Sequence, residues 1–195
     1  MSKRPEHISA PEDYYNASEA RDYHDNSRIA QVQASLTERA LQLLDLPADR
    51  RSYLLDIGCG SGRSGEVLDE AGHTWVGVDV SPDMLAVAAD EGSEGDLIHS
   101  DMGHGLQFRS GTFDGAISIS AVQWLCYCQR REHNARHRLA NFFQSLYTVM
   151  HRGARVVIQL YPDNADQVRS GKRGRSAEDD EGREVGWVGG GGEEK

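Results

Sequence analysis

Cysteine is scarce in this sequence: Cys59, Cys126 and Cys128 are the only three among 195 residues. An odd count without disulfide-like or zinc-like spacing, and a Cys-x-Cys pair with no second ligand pair, argues against a disulfide scaffold or a zinc site and predicts reduced thiols in an intracellular protein. Long apolar runs are also missing. The N-terminus, MSKRPEHISAPEDYYN, has no apolar signal core, and no window approaches the length that spans a bilayer, so the chain is expected to be soluble, unsecreted and free of membrane contact. Positive charge is in deficit, with 21 Lys+Arg against 31 Asp+Glu and a formal net charge of −10. This balance argues against a protein that grips nucleic acid over its whole surface and leaves room for a local basic patch. No internal repeat is present, and the length suits one domain with a substantial core.

What the chain does have is periodicity. From Ala17 to Leu46, apolar residues recur at helical spacing, with Ile29, Val32, Leu36, Ala40, Leu43 and Leu44 forming a stripe that ends before Pro47. This predicts one or two amphipathic helices, within an N-terminal segment over residues 1–50 that packs on the core. A regular alternation follows over 51–164: strand YLLDIG, helix SGEVLDEAG closed by Gly72, strand TWVGVDV, helix SPDMLAVAADEG, strand DLIHSD, strand FDGAISISAV, helix HRLANFFQSLYTVM and strand ARVVIQLY. Ser81 and Pro82 take the N-cap and first-turn positions of the second helix. Strands alternating with helices predict an α/β fold of Rossmann-like type, a mostly parallel sheet covered on both faces. After Tyr161-Pro162 the pattern stops. Five of the last ten residues are glycine, and residues 165–195 are expected to be disordered, because such a composition buries too little apolar surface to offset chain entropy.

The first strand runs into LLDIGCGSGRSG, where Gly58, Gly60 and Gly62 alternate and Gly65 follows. A glycine loop between strand and helix brings backbone N–H groups close to a ligand, but alone it also satisfies a loosened dinucleotide fingerprint. The neighbouring acids discriminate. Asp56, Asp79 and Asp101 fall at the C-terminal ends of the first three strands, where a doubly wound sheet binds ligands. Asp79 suits two ribose hydroxyls, which NAD and S-adenosylmethionine share. Asp56 would repel a pyrophosphate and favours an ammonium group, and Asp101 with Met102 suits the exocyclic amine and ring of adenine. Together these point to S-adenosylmethionine. Met102 fits the core equally, and Cys59 reads as a small filler.

DIGCGSG, VGVDVSPDML, GDLIHSDMG and FDGAISISAVQWL match in order the motifs of class I S-adenosylmethionine-dependent methyltransferases. RPEH, YYNASEARDYHDNSRIAQVQ, SISAVQWLC and VVIQLYPDN narrow the resemblance to the eukaryotic 18S ribosomal RNA guanine-N7 methyltransferase family, over residues 4 to 167. That resemblance implies that Gly58, Gly60 and Gly62 line the cofactor loop, with Val80 beside the ribose-holding Asp79. It places Asp101 and Met102 at the adenine and Asp56 at the amino-acid moiety. Ser120, Val122, Gln123 and Trp124 would border the methyl-transfer site, with Ser120 also at the cofactor. Tyr15, Tyr23 and Arg28 lie in a segment that folds over the cofactor in related enzymes. The family acts on guanine N7 of small-subunit ribosomal RNA in ribosome biogenesis. It is expected in the nucleus, nucleoplasm and nucleolus included, and in the cytoplasm, and it works with a small zinc-binding activator protein along the edge of the third strand, here with Leu97 and Ile98. No metal ligands are expected in this chain.

Guanine N7 carries a free lone pair and no proton, so methyl transfer to it needs no general base. Consistently, the fourth strand lacks an Asn/Asp-Pro-Pro-aromatic motif, and neither Cys126 nor Cys128 has the flanking proline of a covalent nucleophile. Trp124 reads either as a base-stacking side chain or as core. QRREHNARHR, with Arg130, Arg131, Arg136 and Arg138, reads either as a patch for the phosphates of pre-40S ribosomal RNA or as a solvated helix start. The family continues past the fifth strand with a helix, a β-hairpin and a basic tail, whereas residues 163–195 carry six Lys/Arg against nine Asp/Glu. A sheet lacking the last two strands, with an apolar edge on the fifth, is the resulting expectation. A small-molecule or protein methyltransferase and a non-catalytic scaffold for ribosome assembly are the competing readings, with an NAD oxidoreductase behind them.

Overall fold

The computed structural model describes residues 4–128, 130, 133–161 and the backbone of 185–189. Three helices come first: α1 (Pro11–Tyr14), α2 (Ala17–Asp25) and α3 (Ser27–Leu44). Asn16 and Asn26 start the second and third, each side-chain oxygen accepting two backbone N–H groups of the first turn. Then β1 (Tyr53–Ile57), α4 (Arg63–Glu70), β2 (Thr74–Asp79), α5 (Pro82–Asp90), β3 (Asp96–His99), β4 (Phe113–Ile119), α6 (Ala135–Val149), β5 (Met150–Leu160) and β6 (Val185–Gly189) alternate as the sequence pattern predicts up to β5. Ser81 caps α5 through its Oγ, which accepts from Met84 N–H, and Asn134 caps α6.

Among the described residues the strands form one parallel sheet in the order β3-β2-β1-β4-β5-β6. Both faces are covered. Leu55, Ile57, Phe113 and Ile158 meet Phe142 and Leu146 of α6 on one side, while Leu54, Ile117 and Val157 meet Leu44 of α3, Leu68 of α4 and Trp75 on the other. This is why these strands read as near-continuous apolar runs. Helix α4 approaches Trp75 so closely that a Cβ on Gly65 would lie 2.2 Å from the indole, so Gly65 serves helix–sheet packing.

Two expectations change. β6 pairs with β5 from Val156↔Val185 to Leu160↔Gly189, so β5 is not the apolar edge expected and residues 185–189 are not without structure. Val-Gly-Trp-Val is a short run of β-branched and aromatic residues, a signal that averaging over the glycine-rich tail conceals. The rest of the expected disorder, at 165–184 and 190–195, lies outside the described residues. Second, the helical stripe is shifted: Thr37, Ala40 and Leu44 are buried on α3, whereas Val32 is 44% exposed.

Truncating Phe142, which has no exposed surface, to Ala is predicted to cost about 3–5 kcal/mol. Val32→Ala should cost less than about 0.5 kcal/mol. Urea unfolding of the two variants checks the contrast, and equal losses would contradict this placement of the core.

Candidate functional site

Parallel strands end on one side of the sheet, and the loops leaving β1, β2, β3 and β4 there enclose a cleft. Its floor is the glycine loop. Gly58 N–H and Cys59 N–H both donate to Val78 O, at 2.8 and 3.2 Å, which folds the loop across the end of β2. Gly58 has φ +76°, and a Cβ there would fall 2.2 Å from that of Ala121. Gly60 N–H donates to Asp79 Oδ2 at 2.9 Å, and the other oxygen of that carboxylate accepts from Ser81 N–H at 2.8 Å. Burial pushes the Asp79 carboxyl up, while these backbone donors act in the opposite direction.

The far wall comes from β3 and β4. Asp101, with Met102, lines the cleft and is gripped by Arg138, whose Nη2 lies 2.7 and 2.8 Å from the two carboxylate oxygens. Ser120, just past the end of β4, has a φ of 58°, a left-handed conformation unusual for a side chain with a Cβ. Its Oγ donates to Gln159 Oε1 at 2.7 Å, and its carbonyl accepts from Gln123 Nε2. Backbone strain of this kind clusters at functional sites.

The roof is the helical N-terminus. Pro11, Tyr15, Tyr23 and Gln33 line the cleft from above, and Tyr15 meets Trp124 edge to face at 6.0 Å. Polar ties fasten this roof: Ser81 Oγ donates to Tyr15 O, Arg63 Nη2 donates to His24 O, and Arg130 pairs with Glu12 at 2.7 Å. Burial raises the Tyr15 hydroxyl, and pushes that of Tyr23 up to about 12, so both phenols stay neutral.

Of the residues singled out from sequence, the cleft gathers Gly58, Gly60, Asp79, Val80, Asp101, Met102, Ser120, Trp124, Tyr15 and Tyr23. Asp56 is not among them. Strand parity sends it to the same face as Leu54, under α4, where it is fully buried and accepts from Ser64 Oγ. Gly62 caps α4 and faces α5, where a Cβ would meet Ser93 Oγ at 2.5 Å. Val122 and Gln123 are buried behind the cleft wall, and Arg28 is exposed outside it. The basic segment divides. Arg136 is exposed on α6, Arg130 is tied to Glu12, Arg138 turns inward, and Arg131 lies outside the described residues. Cys59 is buried, and burial raises its thiol.

Gln33 and Arg63 line the cleft without having been anticipated. Gln33 gave no signal, being one polar residue in an amphipathic helix. Arg63 did: a cation in the first turn opposes the helix dipole, which marks a residue held there by other contacts.

Residues 55–158 match the family described as Methyltransferase domain. The 18S rRNA (guanine-N(7))-methyltransferase of Mus musculus is 56% identical over 167 residues, covering 86% of this chain and 59% of that protein. The 18S rRNA (guanine(1575)-N(7))-methyltransferase of Saccharomyces cerevisiae is 49% identical over 166 residues, covering 85% and 60%. The chain thus spans about three-fifths of the length of these curated relatives. Among solved structures, the PH0226 protein of Pyrococcus horikoshii shares the fold with a TM-score of 0.59 at 23% identity, over 76% of this chain and 61% of that one. A complex between the Haloferax volcanii Trm112 methyltransferase activator and a methyltransferase gives 0.51 at 18%, over 71% and 54%.

Burial, only partly offset by the Ser64 hydrogen bond and reinforced by the charge of Asp79, pushes Asp56 up to about 7. An unfolded chain titrates this group near about 4. Between those values the folded state holds the extra proton, so stability from this group is full below about 4 and lost as pH rises through about 7. Urea unfolding across this window should show the wild type losing stability relative to Asp56→Asn as pH rises. Parallel curves would contradict the assignment.

Proposed function

We propose that this chain, which belongs to the methyltransferase domain family, uses S-adenosylmethionine to methylate guanine N7 of small-subunit (18S) ribosomal RNA in ribosome biogenesis. The observation that carries the cofactor reading is that two carboxylates, Asp79 and Asp101, stand at the ends of the adjacent strands β2 and β3 and both line one roofed cleft. The acceptor reading is supported by the names of the relatives at 49–56% identity.

The residues present suit that cofactor. Each Asp79 oxygen accepts one backbone hydrogen bond and keeps a lone pair for a ribose hydroxyl. Asp101 and Met102 would take adenine. The buried Nε of Arg63 has no partner among the described residues, a donor suited to the carboxylate of the amino-acid end. Asp56, buried away from the cleft, has no direct role there. When bound, the cofactor supplies a methyl group on a positively charged sulfur.

The chain's own contribution is alignment and exclusion of water. Tyr15 and Trp124, in edge-to-face contact with each other, line the same cleft as Ser120 and wall it with aromatic surface. The cleft's titratable groups are Asp79, Asp101, Tyr15, Tyr23, Cys59, Arg63 and Arg138, and no histidine is among the described lining residues. That set is adequate for a lone pair that bears no proton. Val122 and Gln123 support the wall from behind. RNA phosphates would be met by Arg136 and, after release from Glu12, by Arg130.

A small zinc-binding activator is the proposed partner, on the open edge of β3. There Leu97 is partly buried and Ile98 is 38% exposed. A protein with this substrate works in the nucleus and the cytoplasm, which imaging of a tagged chain would test.

Calorimetry on the chain co-expressed with the activator should detect S-adenosylmethionine, with Asp79→Asn weakening it about tenfold or more. Methyl transfer to small-subunit precursor RNA follows on the same sample. Binding without transfer would favour a non-catalytic scaffold, and folded protein that binds nothing would refute the cofactor reading. Replacing Arg130 and Arg136 by Ala should weaken RNA binding and flatten its salt dependence, while leaving cofactor affinity unchanged. Unaltered RNA affinity would remove this surface from consideration.

A further inference from the structure

Arg138 stands in a basic run, yet its guanidinium points away from solvent into the wall of the cleft. Its side chain is 13% exposed and that of Asp101 is 17% exposed, and both residues line the cleft. One nitrogen, Nη2, donates to both carboxylate oxygens, at 2.7 and 2.8 Å. Gly103 N–H donates to Oδ1 as well, at 2.8 Å. Nη1 lies 3.3 Å from His133 Nδ1, and Nε is buried without a partner among the described residues.

Glycine at 103 is what admits this arrangement. A Cβ there would lie 2.3 Å from Arg138 Nε and 2.7 Å from Nη2. The backbone after β3 therefore packs directly on the guanidinium, and the carboxylate is held between a backbone donor and the single nitrogen Nη2.

A carboxylate offers about four acceptor positions. Arg138 and Gly103 together occupy three here, two on Oδ1 and one on Oδ2. His104 Nδ1 is 3.5 Å from Oδ2, too long to fill the fourth well, and that side chain is 75% exposed. An ionised carboxylate pinned in this way presents a single acceptor and no donor. It welcomes an N–H group and repels a carbonyl.

We propose that Arg138 is a positioning residue that fixes the Asp101 carboxylate as a one-sided acceptor, and that the cleft thereby selects a 6-amino purine over a 6-oxo purine. The proposal rests on the cofactor reading above. It also reassigns Arg138 from the RNA surface to the cofactor wall. Without Arg138 the carboxylate keeps only the Gly103 N–H donor and is free to rotate, so its open acceptor position no longer holds one direction and discriminates less between an amine and a carbonyl.

The test compares two ligands on the same protein sample, S-adenosylhomocysteine and its deaminated analogue S-inosylhomocysteine, by calorimetry on the full chain with its activator. The ratio of the two affinities does not depend on the fraction of protein that is folded. The wild type is expected to prefer the adenosyl form, and Arg138→Met to reduce that preference about tenfold. Gly103→Ala, which displaces the guanidinium without deleting it, should reduce the preference in the same direction and carries the test if the first variant does not fold. A wild-type preference that survives in the folded variants overturns the role of Arg138, and so does a wild type that binds both ligands equally. A folded wild type that binds neither ligand overturns the cofactor reading and this proposal with it.

Discussion

The carboxylate of Asp79 ties the cleft together. One oxygen accepts from Gly60 N–H in the floor, the other from Ser81 N–H at the start of α5, and the Ser81 hydroxyl in turn donates to the Tyr15 carbonyl in the roof. A single line of hydrogen bonds therefore runs from glycine loop to strand end to helix cap to lid. Two of these links, Gly60 to Asp79 and Ser81 to Tyr15, join segments distant in sequence. Burial works against the charge at its centre, and the backbone donors of Gly60 and Ser81 oppose this effect. Loop, cap and lid are thus one cooperative unit.

The alternation of strands and helices was legible because β1, β2 and β4 are buried almost throughout while α3, α4 and α6 bury one face, which writes two different patterns into the sequence. The Ser81-Pro82 start of α5 was legible from local chemistry alone. Asp79 and Asp101 were legible because a charged residue at the end of an apolar strand has few places to go except the crevice. Asp56 was misplaced even though the needed information was there. Side chains alternate along a strand, so Asp56 must share a face with Leu54, and that face lies under α4. Gly62 was read as a ligand glycine, yet like Gly65 it serves helix packing, a distinction that requires knowing which helix lies opposite.

Other residues carry no such signal. A basic run records charge without direction, so nothing in QRREHNARHR separates Arg136, exposed, from Arg138, turned inward, or from Arg130, bound to Glu12 more than a hundred positions away. Gln33 reaches the cleft only because α3 lies across it. β6 was concealed by the composition around it. The helical roof was visible as amphipathic sequence, but which residues it lowers into the cleft depends on ties to Ser81 and Arg63 that join distant segments.

These placements connect the cleft wall to an exposed basic position within α6. Its first turn carries Arg136 toward solvent and Arg138 toward Asp101, two positions apart. The roof is bound to the same region through the Arg130–Glu12 ion pair. The most direct test of the central claim is a two-dimensional amide NMR titration of the full chain with S-adenosylmethionine, and in parallel with NAD. The account predicts saturable shifts of the Gly60 and Ser81 amides, joined by Gly103, with the first ligand and none with the second. Amide signals at these three positions that stay fixed, or that move equally with NAD, would contradict it.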